Sequence, residues 1–329
     1  MLAQHTGGWN VAWNWWVRRN PTYLLSAAAM ASGAKLYLDA PNARAGDIGL
    51  ILLTLGVLQL YELAVSTALV VLHHLRRSPE DQPSLLLVAA LFWTGPLAAT
   101  LELSEHDARL GLGFAVAACV LGLAELQSLR RWLGLRISPA GSLVAGLCLL
   151  LITLAPWRLR VPYAATGTDE LSLYGCWWLL AAVALFGLPA VRWHAWPARP
   201  NGVTGEAARA LKRELAFLAL VAVAAGTHLY AMNYTFCGHA RAFYAAPLLL
   251  AAVLVGWESL AALDTRDRTG HVVCAALPVI AIMLSWQGFD REVPAAQLPP
   301  PLRDPRLAVL VFAALAWWYG AARHRLALL

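Results

Sequence analysis

The chain has 329 residues, of which 60% are hydrophobic and only 13% are charged. This charged share is about half that of an average soluble domain and is too small to cover the surface of a soluble protein of this length. The net charge of +6 does not indicate nucleic-acid binding, because the basic residues stand singly or in pairs between apolar blocks and therefore act as topology signals.

The first twenty residues are rich in tryptophan and end in Arg18 and Arg19. They lack the continuous apolar core and small-residue cleavage site of a secretory signal peptide. We interpret residues 1–20 as an amphipathic segment that lies in the inner membrane interface, where tryptophan rings anchor at the headgroup level.

Ten apolar blocks follow, and each is long enough for a helix that crosses about 30 Å of hydrocarbon. Only a helix satisfies its own backbone hydrogen bonds there. The sequence therefore predicts an all-α, polytopic integral membrane protein with about ten transmembrane helices. The blocks are 22–38, 48–72, 84–103, 110–129, 138–157, 172–191, 214–234, 242–262, 271–288 and 307–322.

The charges between the blocks predict the topology. With a cytoplasmic N-terminus, the inner segments hold 16 of the 25 basic residues and six acidic residues, whereas the outer segments hold nine basic and ten acidic residues. The positive-inside rule then places both termini in the cytoplasm and the chain in the cytoplasmic (inner) membrane.

An internal repeat is indicated by three pairs of similar segments that occur in the same order at nearly the same offset. Both copies start on the same side of the membrane, so the repeat would be parallel, with its pseudo-twofold axis along the membrane normal. Such symmetry describes a scaffold and does not by itself imply transport. The paired segments are Ser26–Leu38 with Ala219–Ala231, Tyr61-Glu62 with Trp257-Glu258, and Asp107-x-Arg109-Leu110 with Asp304-x-Arg306-Leu307.

The repeat predicts four parts of the chain. They are the interfacial segment 1–20, a first four-helix repeat at 21–134, a two-helix insert at 135–200 and a second four-helix repeat at 201–329.

Ionisable groups inside membrane helices are costly, which makes each one a functional candidate. Glu62 lies near the middle of the second block, and Glu258 lies at a matching depth of the eighth. They could meet near the pseudo-axis and bind a proton or a cation, or each could be hydrogen-bonded to a neighbouring helix and fix packing alone. Glu125, near the inner end of the fourth block, is expected to extend toward Arg130 or Arg131 instead.

A second group of candidates lies toward the outer face. His228 falls inside the seventh apolar block, so it needs a hydrogen-bond partner or a water-filled cavity. Carboxylates and histidines around an outer cavity could perform general acid–base chemistry. No metal site, haem or other cofactor is expected, because no zinc-helix spacing and no histidine pair at matching depth occurs. The candidates on this side are His228, Tyr230, Asn233, Glu102, His106, His239 and Arg241.

Three functions remain open on the sequence. The leading hypothesis is a transporter or permease for a small solute or a lipid, with buried carboxylates near the midplane. The alternatives are a membrane enzyme that acts on a lipid-linked substrate at the extracytoplasmic face, and an accessory or structural subunit of a membrane complex. The expected partners are the lipid bilayer, a small-molecule or lipid-linked ligand and, for the third hypothesis, another membrane protein. An ATP-driven pump working alone is disfavoured, because no nucleotide-binding motif occurs.

Overall fold

The fold was analysed in a computed structural model of the chain. The apolar blocks become helices because each backbone N–H and C=O must find its partner within the segment. The structure describes residues 22–38, 48–75, 85, 88–89, 103–104, 107–133, 137–166, 170–195, 205–237, 241–263, 268–286 and 304–324.

All regular elements in these ranges are helical, and no strand occurs among them, which confirms the all-α prediction. A short 3₁₀ helix, Ala242–Ala245, leads directly into α8. The α-helices are α1 Thr22–Leu38, α2 Ile48–His74, α3 Ala108–Trp132, α4 Pro139–Thr166, α5 Glu170–Leu185, α6 Gly187–Ala195, α7 Gly205–Cys237, α8 Ala246–Ala262, α9 Arg268–Ser285 and α10 Pro305–His324.

Five apolar segments in the described part of the chain are long enough to cross a membrane, as expected of a multi-pass membrane protein. Two shorter apolar helices accompany them, Thr269–Ser285 and Arg306–Ala322. The count of ten spans and the cytoplasmic location of both termini stay predictions, and most of the block at 84–103 and all of segment 1–20 lie outside the described residues. The five long segments are Ile48–His74, Arg109–Trp132, Pro139–Trp157, Ser172–Trp193 and Ala242–Ala262.

The surface of these helices fits a lipid environment. Large apolar side chains of α2 are exposed, among them Leu60 at 68% and Leu63 at 61%. In water, so much contiguous apolar surface would favour aggregation. In a bilayer it meets hydrocarbon, so the same side chains carry no such cost.

The described contacts divide the chain into two units, Met1–Leu135 and Arg136–Leu329. In the first unit α2 packs against α1 and α3. In the second, α8 is the central helix and packs against α5, α6, α9 and α10. Small residues such as Ala246, Ala281 and Ala313 are fully buried there, which allows the helix backbones to approach closely. The predicted parts 1–20, 21–134, 135–200 and 201–329 stay a prediction.

Two helices begin with the same short motif. Asp107 precedes α3, and its carboxylate accepts a hydrogen bond from the backbone N–H of Arg109 at 2.7 Å. Asp304 precedes α10 and accepts from the backbone N–H of Arg306 at 2.9 Å. Both therefore supply the N-cap oxygen that a helix start needs. The shared geometry is consistent with the predicted repeat, which stays a prediction because such caps are common.

The second of these caps carries an ion pair. The Arg306 guanidinium donates to the Asp304 carboxylate, with Nε 2.8 Å from Oδ1. This hydrogen bond holds the pKa of Asp304 below its ordinary value.

Candidate functional site

A buried carboxyl lies in the middle of α2. Glu62 is 3% exposed, although it stands in a helix composed mainly of apolar residues. Its Oε2 accepts a hydrogen bond from Nε2 of Gln59, one turn earlier, at 2.7 Å. Its Oε1 is buried without a hydrogen-bond partner among the described residues. The helix of Glu62 thus supplies a hydrogen-bond donor to one of its two carboxyl oxygens.

A second carboxyl approaches Glu62 from α3. Ser66 lies one turn after Glu62 on the same face of α2, and its hydroxyl donates to Oε1 of Glu125 at 3.1 Å. The Glu125 carboxyl is close enough to Glu62 to interact with it directly. The two helices therefore bring together a carboxyl pair, flanked by the amide of Gln59 and the hydroxyl of Ser66.

Sequence reasoning missed Glu125 as a member of this site. We expected its side chain to extend toward the arginines at the inner end of the helix, but its carboxylate accepts from Ser66 instead. A usable signal was depth: Glu62 lies 14 residues after the start of α2 and Glu125 17 residues after the start of α3. The predicted topology has both helices run in the same direction through the bilayer and therefore places these residues at similar heights.

Electrostatic repulsion between Glu62 and Glu125 is expected when both carboxyls are ionised. Two ionised carboxylates side by side repel one another strongly, and the buried carboxylate of Glu62 also loses its hydration. A cation or a proton between the carboxyls would remove this repulsion. Among the described residues, no group of three or more histidine, cysteine, aspartate or glutamate side chains forms a candidate metal site.

Glu258 has a different environment, in the second unit. It is 4% exposed, and its Oε1 lies 3.1 Å from Nε of Arg192 on α6. Its Oε2 accepts a hydrogen bond from Oη of Tyr319 on α10 at 2.6 Å. Glu258 is therefore an ion-paired carboxylate that joins three helices. The two predicted glutamates belong to different units, and their meeting at a common axis stays a prediction.

His228 is also buried, on α7. It is 7% exposed, and its Nε2 has no hydrogen-bond partner among the described residues. Tyr230, two residues later, is 39% exposed and so lies on another face of the helix. The structure therefore does not bring these two candidates to one site.

The other outer-face candidates are only partly described. Arg241 is half-buried and stands at the start of the 3₁₀ helix. Asn233 lies toward the end of α7, and its side chain is outside the described part, as are Glu102, His106 and His239. The acid–base set at the outer face stays a prediction.

One buried carboxyl that sequence reasoning did not single out lies near the start of the seventh block. Glu214 of α7 is 2% exposed. Both of its oxygens accept from the backbone N–H of Ser138, at 3.1 and 3.2 Å, and it also accepts from the Ser138 hydroxyl. Because Ser138 immediately precedes α4, this carboxylate satisfies the positive end of that helix. Its role in the structure is to join α7 to α4.

Comparison with protein-family models, curated proteins and solved structures finds no match to this chain.

Proposed function

We propose that this protein is a multi-pass membrane transporter for a small solute or a lipid, with its ion-binding site at Glu62 and Glu125. The observation that carries the proposal is the pair formed by the buried carboxyl of Glu62 and the half-buried carboxyl of Glu125, between two helices of membrane-spanning length. A carboxyl in the interior of a membrane is expensive, so one that serves packing alone is expected to have all its polar atoms satisfied.

Glu62 does not meet that expectation, and Glu258 does. One oxygen of Glu62 has no hydrogen-bond partner in the described structure, and a second carboxyl lies beside it. Both oxygens of Glu258, by contrast, are bound by Arg192 and Tyr319. The difference favours a structural role for Glu258 and a site that binds and releases a cation or a proton at Glu62.

Proteoliposomes containing the purified protein provide the test. For lipids, the probe is a fluorescent phospholipid whose outer-leaflet fraction is bleached by dithionite. For solutes, charge movement is recorded on a solid-supported membrane after addition of amino acids, sugars, carboxylic acids or quaternary amines. We expect one class of probe to move faster than in protein-free liposomes. Glu62→Gln should slow that movement about tenfold or more, which corresponds to an increase of about 1.4 kcal/mol in the activation free energy of transport.

Thr67→Ala serves as the matched control, because this residue is exposed on the same helix. Its flux should remain within about twofold of the wild type, since it removes no group of the pair. Equal flux in wild type and Glu62→Gln would contradict the proposal. Movement of none of these probes by protein with a cooperative melting curve would favour the accessory-subunit alternative.

A further inference from the structure

The hydrogen bonds around the carboxyl pair distinguish its oxygens. Gln59 donates to one oxygen of Glu62, and Ser66 donates to one oxygen of Glu125. Oε1 of Glu62 is buried, lacks a donor among the described residues, and belongs to a carboxyl that interacts directly with Glu125. A carboxylate accepts hydrogen bonds only, whereas a protonated carboxyl has one O–H to donate. A hydrogen on one of the two carboxyls would supply the donor that the pair lacks.

We infer that the ion bound at this site is the proton, shared between the carboxyls of Glu62 and Glu125. The inference rests on the transport function proposed above and names its coupling ion. Binding forms one O–H bond on a carboxylate oxygen, and release breaks it, with no other bond made or broken. The charge of the pair changes from −2 to −1 when one proton binds, which lowers the cost of keeping the site within hydrocarbon.

A calcium or magnesium ion fits the site less well. Calcium takes six to eight oxygen ligands and magnesium takes six in a strict octahedron. The pair offers four carboxylate oxygens, and two of them already accept hydrogen bonds from Gln59 and Ser66. No third acidic, histidine or cysteine ligand joins them in the described part of the chain. A shared proton needs one oxygen to which it is covalently bonded and a second oxygen that accepts its hydrogen bond, and the pair provides both.

The surroundings of the pair add little competing charge. In the described part of the first unit, α3 contributes Glu125 itself, and α1 contributes Tyr23, which packs into the same hydrophobic cluster as Val65 of α2. We find no basic side chain paired with Glu62 among the described residues. This contrasts with Glu258, whose charge is balanced by Arg192.

Infrared difference spectroscopy of the full chain in nanodiscs tests the inference. A protonated carboxyl has a C=O stretch that is well separated from the carboxylate bands. We expect this band in the wild type at pH 7 and its loss in Glu62→Gln. Absence of the band in the wild type across the acid and neutral range would overturn the inference.

A matched pair of serine variants keeps the test decisive if Glu62→Gln does not fold. Ser66 donates across the helix interface to Glu125, whereas Ser128 of α3 donates to the carbonyl of Ala124 in its own helix. Ser66→Ala should therefore shift the frequency of the C=O band, and Ser128→Ala should leave it in place. The same response in both variants would show that the band arises elsewhere.

Salts and transport separate the remaining outcomes. Sodium chloride and calcium chloride, each compared with choline chloride at constant pH, should leave the band unchanged; its loss on addition of either metal would identify a metal site. A band with the expected behaviour in a protein that moves no probe would refute transport and leave the proton site standing. Transport without the band would refute the proton site alone.

Discussion

The clearest structural prediction concerns the carboxylate that holds the start of α4. Ser138 stands at the N-cap of this helix, and its hydroxyl oxygen accepts from the backbone N–H of Gly141 at 2.9 Å. The hydroxyl hydrogen and the backbone N–H of Ser138 are both donated to Glu214. Because Glu214 and Ser138 are 2% and 3% exposed, water has little access to replace a lost partner. Substitution of Glu214 should therefore be costly.

The magnitude follows from these bonds. A hydrogen bond to a charged group contributes about 1.5–3 kcal/mol, and Glu214 accepts two donors from Ser138. Glu214→Gln retains one acceptor oxygen but loses the charge at the helix N-terminus, so we expect a loss of about 2 kcal/mol. Glu214→Ala leaves both donors without a partner, and we expect about 4 kcal/mol. For a unit of this size, each kcal/mol corresponds to about 2–4 °C in melting temperature.

Tryptophan-fluorescence melting in one detergent measures the effect. We expect Glu214→Gln to melt about 4–8 °C below the wild type and Glu214→Ala about twice as far below it. Lys212→Gln is the control, because this side chain is exposed two residues earlier on the same helix. A melting temperature of Glu214→Gln within about 1 °C of the wild type would refute the reasoning. So would an equal decrease in Lys212→Gln.

Two further predictions concern helix packing and pH. Gly111→Ala in α3 should lower the free energy of unfolding by about 1–3 kcal/mol, because its Cβ would lie 2.6 Å from the Cα of Ser104. Gly113→Ala has no atom within 4 Å of its new Cβ and should raise that free energy by about 0.5–1 kcal/mol, so equal shifts in thermal melting would contradict the packing. The Arg306 guanidinium lowers the pKa of Asp304 from its ordinary value of 3.8. The ionised carboxylate of Asp304 therefore stabilises the folded state fully above that pH, and this contribution is lost as the pH falls through the lowered pKa. Melting temperatures of wild type and Asp304→Asn should therefore converge below about pH 4, and a constant difference down to pH 2 would exclude this linkage.

Much of the architecture could be predicted from the chain alone. Block length and hydropathy indicate helices of spanning length, because the bilayer imposes the same length and the same backbone requirement on every span. The helix starts at Asp107 and Asp304 are equally local, since an aspartate two residues before a free backbone N–H forms the cap without help from other elements. The burial of Glu62 also follows from its place among apolar residues.

The partners of the buried charges could not be predicted in this way. Glu125 meets Ser66 from 59 residues away, and Glu258 meets Arg192 and Tyr319 from 66 and 61 residues away. Helical periodicity shows which residues share a face of one helix, but not how far each helix is rotated about its axis or which helix lies beside it. Those two quantities come from packing among several helices at once. The packing places Glu62 beside a second carboxyl and Glu258 beside a guanidinium. The two glutamates occupy similar positions in their apolar blocks, so the sequence could not show that their environments differ.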